Sequence, residues 1–299
     1  MAKVNLAAEA KRLAQAASAA AGEMAQATPD VKSCALKTMA GLLRKKKSQL
    51  QAANKKDLSA GRKAALSSAM IDRLTLSGKR IEAMASSLEE IAELPDPVGE
   101  MIDGSERPGG FRVDRVRVPL GVVLAIYEAR PNVTSDIAGL CLKASNAVIL
   151  RGGREAVHSN RAVHKLLVEA LKDLGLPADA VQLVKQTDRE LVGKLLKLHA
   201  LIDLVIPRGG EGLIRAVARQ STIPVIKHYK GVCHIYVDEF ADLPMAHAIA
   251  MNAKVQRPGV CNAMETLLVH EAVAGQILPK LCKDLVGAGV EVRGCPKTR

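Results

Sequence analysis

The stretch LGVVLAIY at residues 120–127, followed at once by the polar run EARPNVTSD at 128–136, decides the fold. Apolar residues fill both alternating sets of positions from Leu120 to Tyr127, so an extended chain here offers no face to water. A strand of that kind belongs inside a parallel sheet covered on both sides. The run after it reads as a loop, and Thr134 or Ser135 is placed to cap a helix over residues 137–144.

The same alternation continues downstream. Residues 147–150 read as a buried strand, Arg151-Gly152-Gly153-Arg154 as a loop, and 156–174 as a helix stopped by Gly175 and Pro177. A strand at 181–184, a helix at 188–198 and a strand at 201–206 follow, then the loop Pro207-Arg208-Gly209-Gly210-Glu211-Gly212 and a helix at 213–220. Strands at 223–226 and 234–237 and a helix at 243–253 complete the pattern. Repeated strand–helix units of this length indicate a doubly wound α/β sheet. Upstream, residues 1–93 carry apolar positions at helical spacing, such as Leu36, Met39, Leu42 and Leu43, then Ile81, Met84, Leu88 and Ile91. Thr28 with Pro29 marks one helix start, residues 75–78 another, and Pro95 and Pro97 close the helical block. The mostly alternating run at 108–118 suggests a half-exposed extended strand.

Composition narrows the function classes. A chain of 299 residues at 48% hydrophobic composition can bury a large core, divided between two domains or one with insertions. No apolar run of spanning length occurs, and Lys3, Glu9, Lys11 and Arg12 interrupt the first alanines, so the expectation is a cytoplasmic protein with no membrane partner. The net charge of +12 invites nucleic acid, but aromatic content of 2% with no Trp leaves no stacking platform, so no nucleic-acid partner is expected. Arg44-Lys45-Lys46-Lys47 reads as a solvated helix face, and the surplus charge can steer a small anion into a cleft.

In a doubly wound sheet, ligands bind beyond the carboxyl ends of the strands. The Arg151–Arg154 and Arg208–Gly212 loops fall there; arginines can pair with phosphate, and glycine backbone can approach a pyrophosphate at a helix start. Neither loop is the G-x-G-x-x-G fingerprint, and a tight turn before a helix explains each equally well. The run KVQRPGVCNAMET at 254–266 sets Cys261 after a Pro258-Gly259 turn, with Arg257 nearby to supply positive potential. A basic, turn-bounded, partly exposed setting favours thiolate, which makes Cys261 the candidate nucleophile. Cys34, Cys141 and Cys282 sit in apolar helical contexts and read as buried thiols, and Cys233 as structural. No histidine or cysteine spacing suits a metal, so none is expected.

Five ordered stretches, at 74–99, 119–134 (PLGVVLAIYEARPNVT), 142–155 (LKASNAVILRGGRE), 204–214 (LVIPRGGEGLI) and 256–266 (QRPGVCNAMET), resemble the aldehyde dehydrogenase superfamily, on its branch that reduces γ-glutamyl phosphate. The resemblance implies NADPH-dependent reduction of that acyl phosphate to glutamate 5-semialdehyde in proline biosynthesis. It implies Cys261 as the thiolate that expels phosphate to give a thioester, with Asn132 and the Cys261 backbone N–H as oxyanion donors. Arg151, Gly152, Gly153, Arg154, Arg208, Gly209, Gly210 and Gly212 are then expected near NADPH or NADP, the paired arginines suiting the 2′-phosphate. Arg130 and Arg257 are expected at the anionic substrate. The implied architecture is an aldehyde-dehydrogenase-like α/β fold: a doubly wound NADPH-binding domain over 1–240 with a helical N-terminal region, an oligomerisation arm near 105–118, and an incomplete α/β catalytic domain over 241–299.

Two departures shape the expectation. Hydrolytic members carry a general-base Glu in a Glu-Leu-Gly-Gly-Lys run, where this chain has Lys227-His228-Tyr229-Lys230-Gly231. Lacking that base suits a reductase, because activated water would destroy the thioester. Members of the family continue well beyond the cysteine, so an incomplete form, a homo-oligomer only when complete, is expected. The alternative is an NADP(H)-binding module without turnover.

Overall fold

The computed structural model describes residues 5–185, 188–227, 231–258 and 260–298. The chain divides into two compact units, Met1–His228 and Tyr229–Arg299.

The first unit is built on the sheet that the apolar run at 120–127 calls for. Strand β3 is Val122–Tyr127, and all six of its residues are buried. Its parallel partners are β4 (Ala147–Arg151) and β6 (Leu204–Arg208), and β5 (Val181–Leu183) extends the sheet beyond β4, giving the order β5-β4-β3-β6. The double-sided burial has a direct cause in the alternation of strand side chains. Val123, Ala125 and Tyr127 pack into one apolar layer with α2 (Pro29–Lys45), α5 (Gly78–Glu93), α6 (Asn132–Lys143) and α7 (Val157–Asp173). Val122, Leu124 and Ile126 pack into the opposite layer with α1 (Leu6–Met24), α8 (Arg189–Leu195) and α9 (Glu211–Gln220). The Val, Leu and Ile side chains among these each gain about 1.5–3 kcal/mol from leaving water, so no register that exposes one face can compete.

The crossovers explain the strand order. Helices α6 and α7 carry the chain from β3 to β4 to β5 along one face, and α8 carries it across the other face to β6. The direction of winding therefore reverses at β3, and the crevice between the carboxyl ends of β3 and β6 is the topological switch point.

The helical region expected over residues 1–93 is present. Thr28 accepts from the Val31 amide ahead of Pro29 at the start of α2, and Ser77 accepts from the Arg80 amide at the start of α5. Two further helices, α3 (Lys47–Lys63) and α4 (Ser68–Leu74), lie between them. Asp57 of α3 reaches the start of α7, where its carboxylate accepts from the Ser159 amide at 2.7 Å and the Ser159 hydroxyl at 2.6 Å. That carboxylate satisfies orphan N–H groups and complements the positive helix end.

Several expectations need correction. The run at 108–118 is not half-exposed: β1 (Met101–Glu106) and β2 (Arg112–Val116) form an antiparallel hairpin whose residues are all exposed. The helix after β3 begins at Asn132 rather than residue 137, and neither Thr134 nor Ser135 caps it. Thr134 instead shares a buried hydrogen bond of 2.7 Å with the Tyr127 hydroxyl and donates to Asn160 Oδ1 at 3.0 Å. Residues 223–226 contribute only a single bridge, Val205 to Val225.

The second unit contains β7 (His234–Val237) paired in parallel with β8 (Thr266–Val269), flanked by α10 (Leu243–Val255) and α11 (Glu271–Gly287). Its core gathers Val237, Ala250, Met264, Val273, Ile277, Leu281 and Leu285. The strand at 234–237 thus belongs to this sheet, which moves the division to 228/229 from the boundary expected at 240.

Candidate active site

The carboxyl ends of the parallel strands bring three of the expected loops to one edge of the first unit. After β3 the chain runs Glu128-Ala129-Arg130-Pro131 into α6, after β4 it runs Gly152-Gly153, and after β6 it runs Gly209-Gly210 into α9. Arg151 closes β4 and is half-buried. Burial holds its guanidinium below the ordinary arginine pKa, with Glu155 opposing that shift and Arg189 adding to it. Arg154 stands apart: its side chain is 82% exposed and lies 3.8 Å from the Glu155 carboxylate. Arg208 is exposed at the end of β6, and its carbonyl accepts from the Glu128 amide at 3.2 Å.

The two glycine loops are tight for different reasons. A Cβ on Gly152 would collide with the Asn160 amide nitrogen and meet Tyr127 at 3.1 Å. Asn160 already accepts from Thr134, so the glycine lets the loop close over a buried Tyr127–Thr134–Asn160 network. Gly152→Ala is expected to cost about 1–3 kcal/mol through forced displacement of that network, read as a lower denaturant midpoint. Gly209 makes room for Glu128, whose Cδ would lie 2.6 Å from a Cβ there. The Glu128 carboxylate accepts from the Gly210 amide at 3.1 Å, which seats an acidic side chain at the start of α9. Nothing in the residue spacing singles out Glu128; only the pairing of β3 with β6 brings the two together.

Asn132 opens α6. Its Nδ2 donates to Asp136 Oδ2 at 2.9 Å, and its backbone carbonyl accepts from the Ser135 hydroxyl at 2.8 Å. The i,i+4 pairing fixes the plane of the amide from within the same helix. Burial raises the Asp136 pKa, and the hydrogen bonds from Asn132 and Ser135 oppose that rise. A raised folded-state pKa favours the neutral acid, so its stabilising contribution is full below the unfolded-state pKa and is lost as pH rises through the folded one. Asp136→Asn is therefore expected to raise the unfolding temperature at neutral pH by a few degrees, on a scale of about 2–4 °C per kcal/mol. The gap should close on acidification into the carboxylate range, and a pH-independent gap in thermal melts would contradict the assignment.

Within the second unit, Cys261 is exposed in a turn between α10 and β8. Its carbonyl accepts from the Cys233 thiol at 3.3 Å, and the Cys233 carbonyl accepts from the Glu265 and Thr266 amides, so Cys233 shapes the Cys261 turn. Lys254 Nζ donates to the Met264 carbonyl at 3.1 Å and pins the other side. Arg257 is exposed at the entry to the turn. Arg130 is exposed as well, with its amide bonded to the Glu128 carbonyl at 2.6 Å. Among the remaining thiols, burial pushes Cys141 up to about 12, in keeping with an inert role, whereas Cys34 is exposed rather than buried and Cys282 is half-buried. Gly259 and residues 228–230, which include most of the run lacking the hydrolytic Glu, lie outside the described residues. Among the described residues no cluster of three potential metal ligands occurs, and no helix is long and apolar enough to cross a membrane.

The model of the aldehyde dehydrogenase family matches residues 2–291. The chain belongs to the aldehyde dehydrogenase family. Within this family it is 57% identical over 286 residues to a γ-glutamyl phosphate reductase of Desulfatibacillum aliphaticivorans, covering 96% of this chain and 68% of that one. The crystal structure of γ-glutamyl phosphate reductase from Thermotoga maritima superposes with a TM-score of 0.90 at 44% identity, over 97% of this chain and 70% of the other. The corresponding enzyme of Saccharomyces cerevisiae gives a TM-score of 0.69 at 32% identity, over 96% and 72%. The chain thus spans about two thirds of the length of these relatives. Membership of the aldehyde dehydrogenase family implies an oxidoreductase with a nicotinamide cofactor and a small-molecule substrate. The fold class expected from the sequence is the one found.

Proposed function

We propose that this chain reduces γ-glutamyl phosphate to glutamate 5-semialdehyde and phosphate with NADPH, in the cytoplasm and as a step towards proline. The observation that carries the reading is the 57% identity to a reductase of that name over nearly the whole chain, together with an exposed Cys261 held in a turn. The Cys261 thiolate attacks the acyl carbon and phosphate leaves, so the acyl group passes to sulfur and one difficult displacement becomes two easier steps. The nicotinamide, when bound, supplies the hydride that takes the acyl group to the aldehyde level. Asn132 has the chemistry of an oxyanion donor: its amide is oriented by Asp136 and retains a second N–H. Arg130 and Arg257, both exposed, serve the substrate anion.

The residues present fit a dinucleotide. The strand order β5-β4-β3-β6 places a switch point beside β3, and the Gly152-Gly153 and Gly209-Gly210 loops leave those strand ends with bare backbone. Homo-oligomer formation through the exposed β1–β2 hairpin belongs to the same proposal.

The test is the reverse reaction: glutamate 5-semialdehyde, phosphate and NADP, with NADPH formation followed by absorbance. Phosphate-dependent NADPH formation is expected. A chain that is stabilised thermally by NADPH yet never turns over would leave only the binding part of the reading, since a ligand selective for the native state raises its stability. A chain that shows neither effect would remove both parts.

A further inference from the structure

We infer that Cys233 and Cys261 form a dithiol site that a hydroperoxide closes into a disulfide, withdrawing Cys261 from acyl transfer until a thiol reductant reopens it. The effect on turnover rests on the nucleophile reading above, whereas the disulfide itself does not. The two residues lie 28 positions apart in sequence, and both belong to the second unit. Cys233 stands one residue ahead of β7, and its carbonyl accepts from the Glu265 and Thr266 amides at 3.0 and 3.1 Å, where β8 begins. From the other side, the Met264 amide donates to the Ala253 carbonyl of α10 at 3.0 Å. The Cys261 turn is thereby held against Cys233.

That hold brings sulfur close. Cys233 Sγ lies 3.3 Å from the Cys261 carbonyl oxygen. Two covalent bonds separate that oxygen from the Cys261 Cα, which puts the Cys233 sulfur within about 6 Å of the atom that carries the Cys261 side chain. Rotation about the Cys261 χ1 with a small shift of the turn then brings the sulfurs to the roughly 2.05 Å of a disulfide. Cys261 lies outside helix and strand, where such a shift breaks no ladder of backbone bonds. Cys261 is exposed and Cys233 half-buried, so a peroxide reaches the first and the second waits beside it. An accessible thiol next to a resolving one is the arrangement that captures a sulfenic acid before further oxidation.

The steps balance as follows. The Cys261 thiolate attacks one peroxide oxygen, the S–O bond forms, the O–O bond breaks and hydroxide leaves. The Cys233 thiol gives up its proton and attacks the Cys261 sulfur; the S–S bond forms, the S–O bond breaks, and the departing hydroxide takes that proton as water. Two thiols lose two electrons and one hydrogen peroxide becomes two waters. While the disulfide stands, the Cys261 sulfur has no electron pair to offer an acyl phosphate as a thiolate does.

The experiment exposes the wild-type chain, Cys233→Ser, Cys261→Ala and the control Cys34→Ser to a small molar excess of hydrogen peroxide, blocks remaining thiols, and maps tryptic peptides by mass spectrometry without reduction. Lys254 lies between the two cysteines, so trypsin releases them on separate peptides. A joined Cys233–Cys261 peptide is expected in the wild-type chain and in Cys34→Ser and in neither of the other two. Turnover in the wild-type chain should fall about tenfold or more and return to within about twofold with dithiothreitol. In Cys233→Ser the same exposure carries Cys261 on to sulfinic acid, which dithiothreitol does not reverse, so recovery is lost. The wild-type map needs no variant to fold. Sulfinic acid at Cys261 of the wild-type chain without the joined peptide, or joining only between two chains on a non-reducing gel, overturns the assignment. A joined peptide with undiminished turnover upholds the site and overturns the nucleophile reading instead.

Discussion

Cys261→Ser is expected to lower phosphate-dependent NADPH formation by about 10³-fold or more, while NADPH binding measured by thermal shift stays within about twofold of wild type. In the proposed mechanism the acyl intermediate forms on this thiolate, and a serine hydroxyl at the same position is almost wholly protonated at neutral pH. Because Cys261 is exposed and engages its turn through its backbone carbonyl, the substitution removes chemistry without removing packing. Cys233→Ser serves as the contrast. Its thiol bonds the Cys261 carbonyl, a role a hydroxyl can fill, so activity should fall far less. Full activity in Cys261→Ser would sink the nucleophile assignment. Equal loss in the two variants would point instead to the shape of the turn.

Asp96→Ala is expected to destabilise the first unit by about 3–5 kcal/mol in denaturant unfolding, the largest stability effect of any single substitution considered. Lys32 of α2 is 1% exposed, and its ammonium lies 2.7 Å from Asp96 and 2.7 Å from the Ser145 hydroxyl. Asp96 Oδ2 faces that ammonium as an ion pair without satisfying hydrogen-bond alignment, so the pairing is electrostatic more than directional. Removing the carboxylate leaves a buried cation held by one hydroxyl. The double variant Lys32→Met with Asp96→Leu should recover most of the loss, because taking both charges away removes the desolvation cost as well. A loss under 1 kcal/mol for Asp96→Ala would show that the ammonium finds water or another acceptor. Through its bond to Ser145, Lys32 also ties α2 to the turn between α6 and β4.

Much of this was legible without coordinates, for reasons that differ by element. β3 could be read because burial on both faces demands an unbroken apolar run, and few other structures tolerate one. The starts of α2 and α5 could be read because a hydroxyl followed by proline, or by glycine and helix formers, is local chemistry. The start of α6 could not. Thr134 has the right side chain for a cap, but in the fold its hydroxyl is drawn to Tyr127 and Asn160, and the helix begins at Asn132 with no capping bond. β1 was illegible for a different reason: Met101-Ile102-Asp103-Gly104-Ser105-Glu106 has no apolar alternation, and its pairing with β2 is a matter of backbone hydrogen bonds on an exposed hairpin.

The site divides along the same line. The proposed nucleophile and the glycine loops carry their identity in residue type and neighbours, and the cations of the Arg151–Arg154 run were visible as cations. Which of those cations is buried was not visible. Arg154 follows Arg151 closely in sequence, yet one is half-buried at a strand end and the other projects into solvent. Cys233 and Cys261 are 28 positions apart and meet only because β7 and β8 pair.

The sequence by itself thus determined the class of fold and the strand–helix alternation from β3 to α9, and it singled out Cys261 as the candidate nucleophile, because hydrophobic period, turn residues and residue type are local properties. The tertiary structure decided the strand order β5-β4-β3-β6, the seat of Glu128 at the Gly210 amide, the hold of Asp136 on Asn132 and the bond from the Cys233 thiol to the Cys261 carbonyl. Most of these depend on which distant segments lie side by side, and that is fixed by the packing of whole layers. Asp136 reaches Asn132 within one helix, whose start the sequence placed at residue 137 rather than at Asn132.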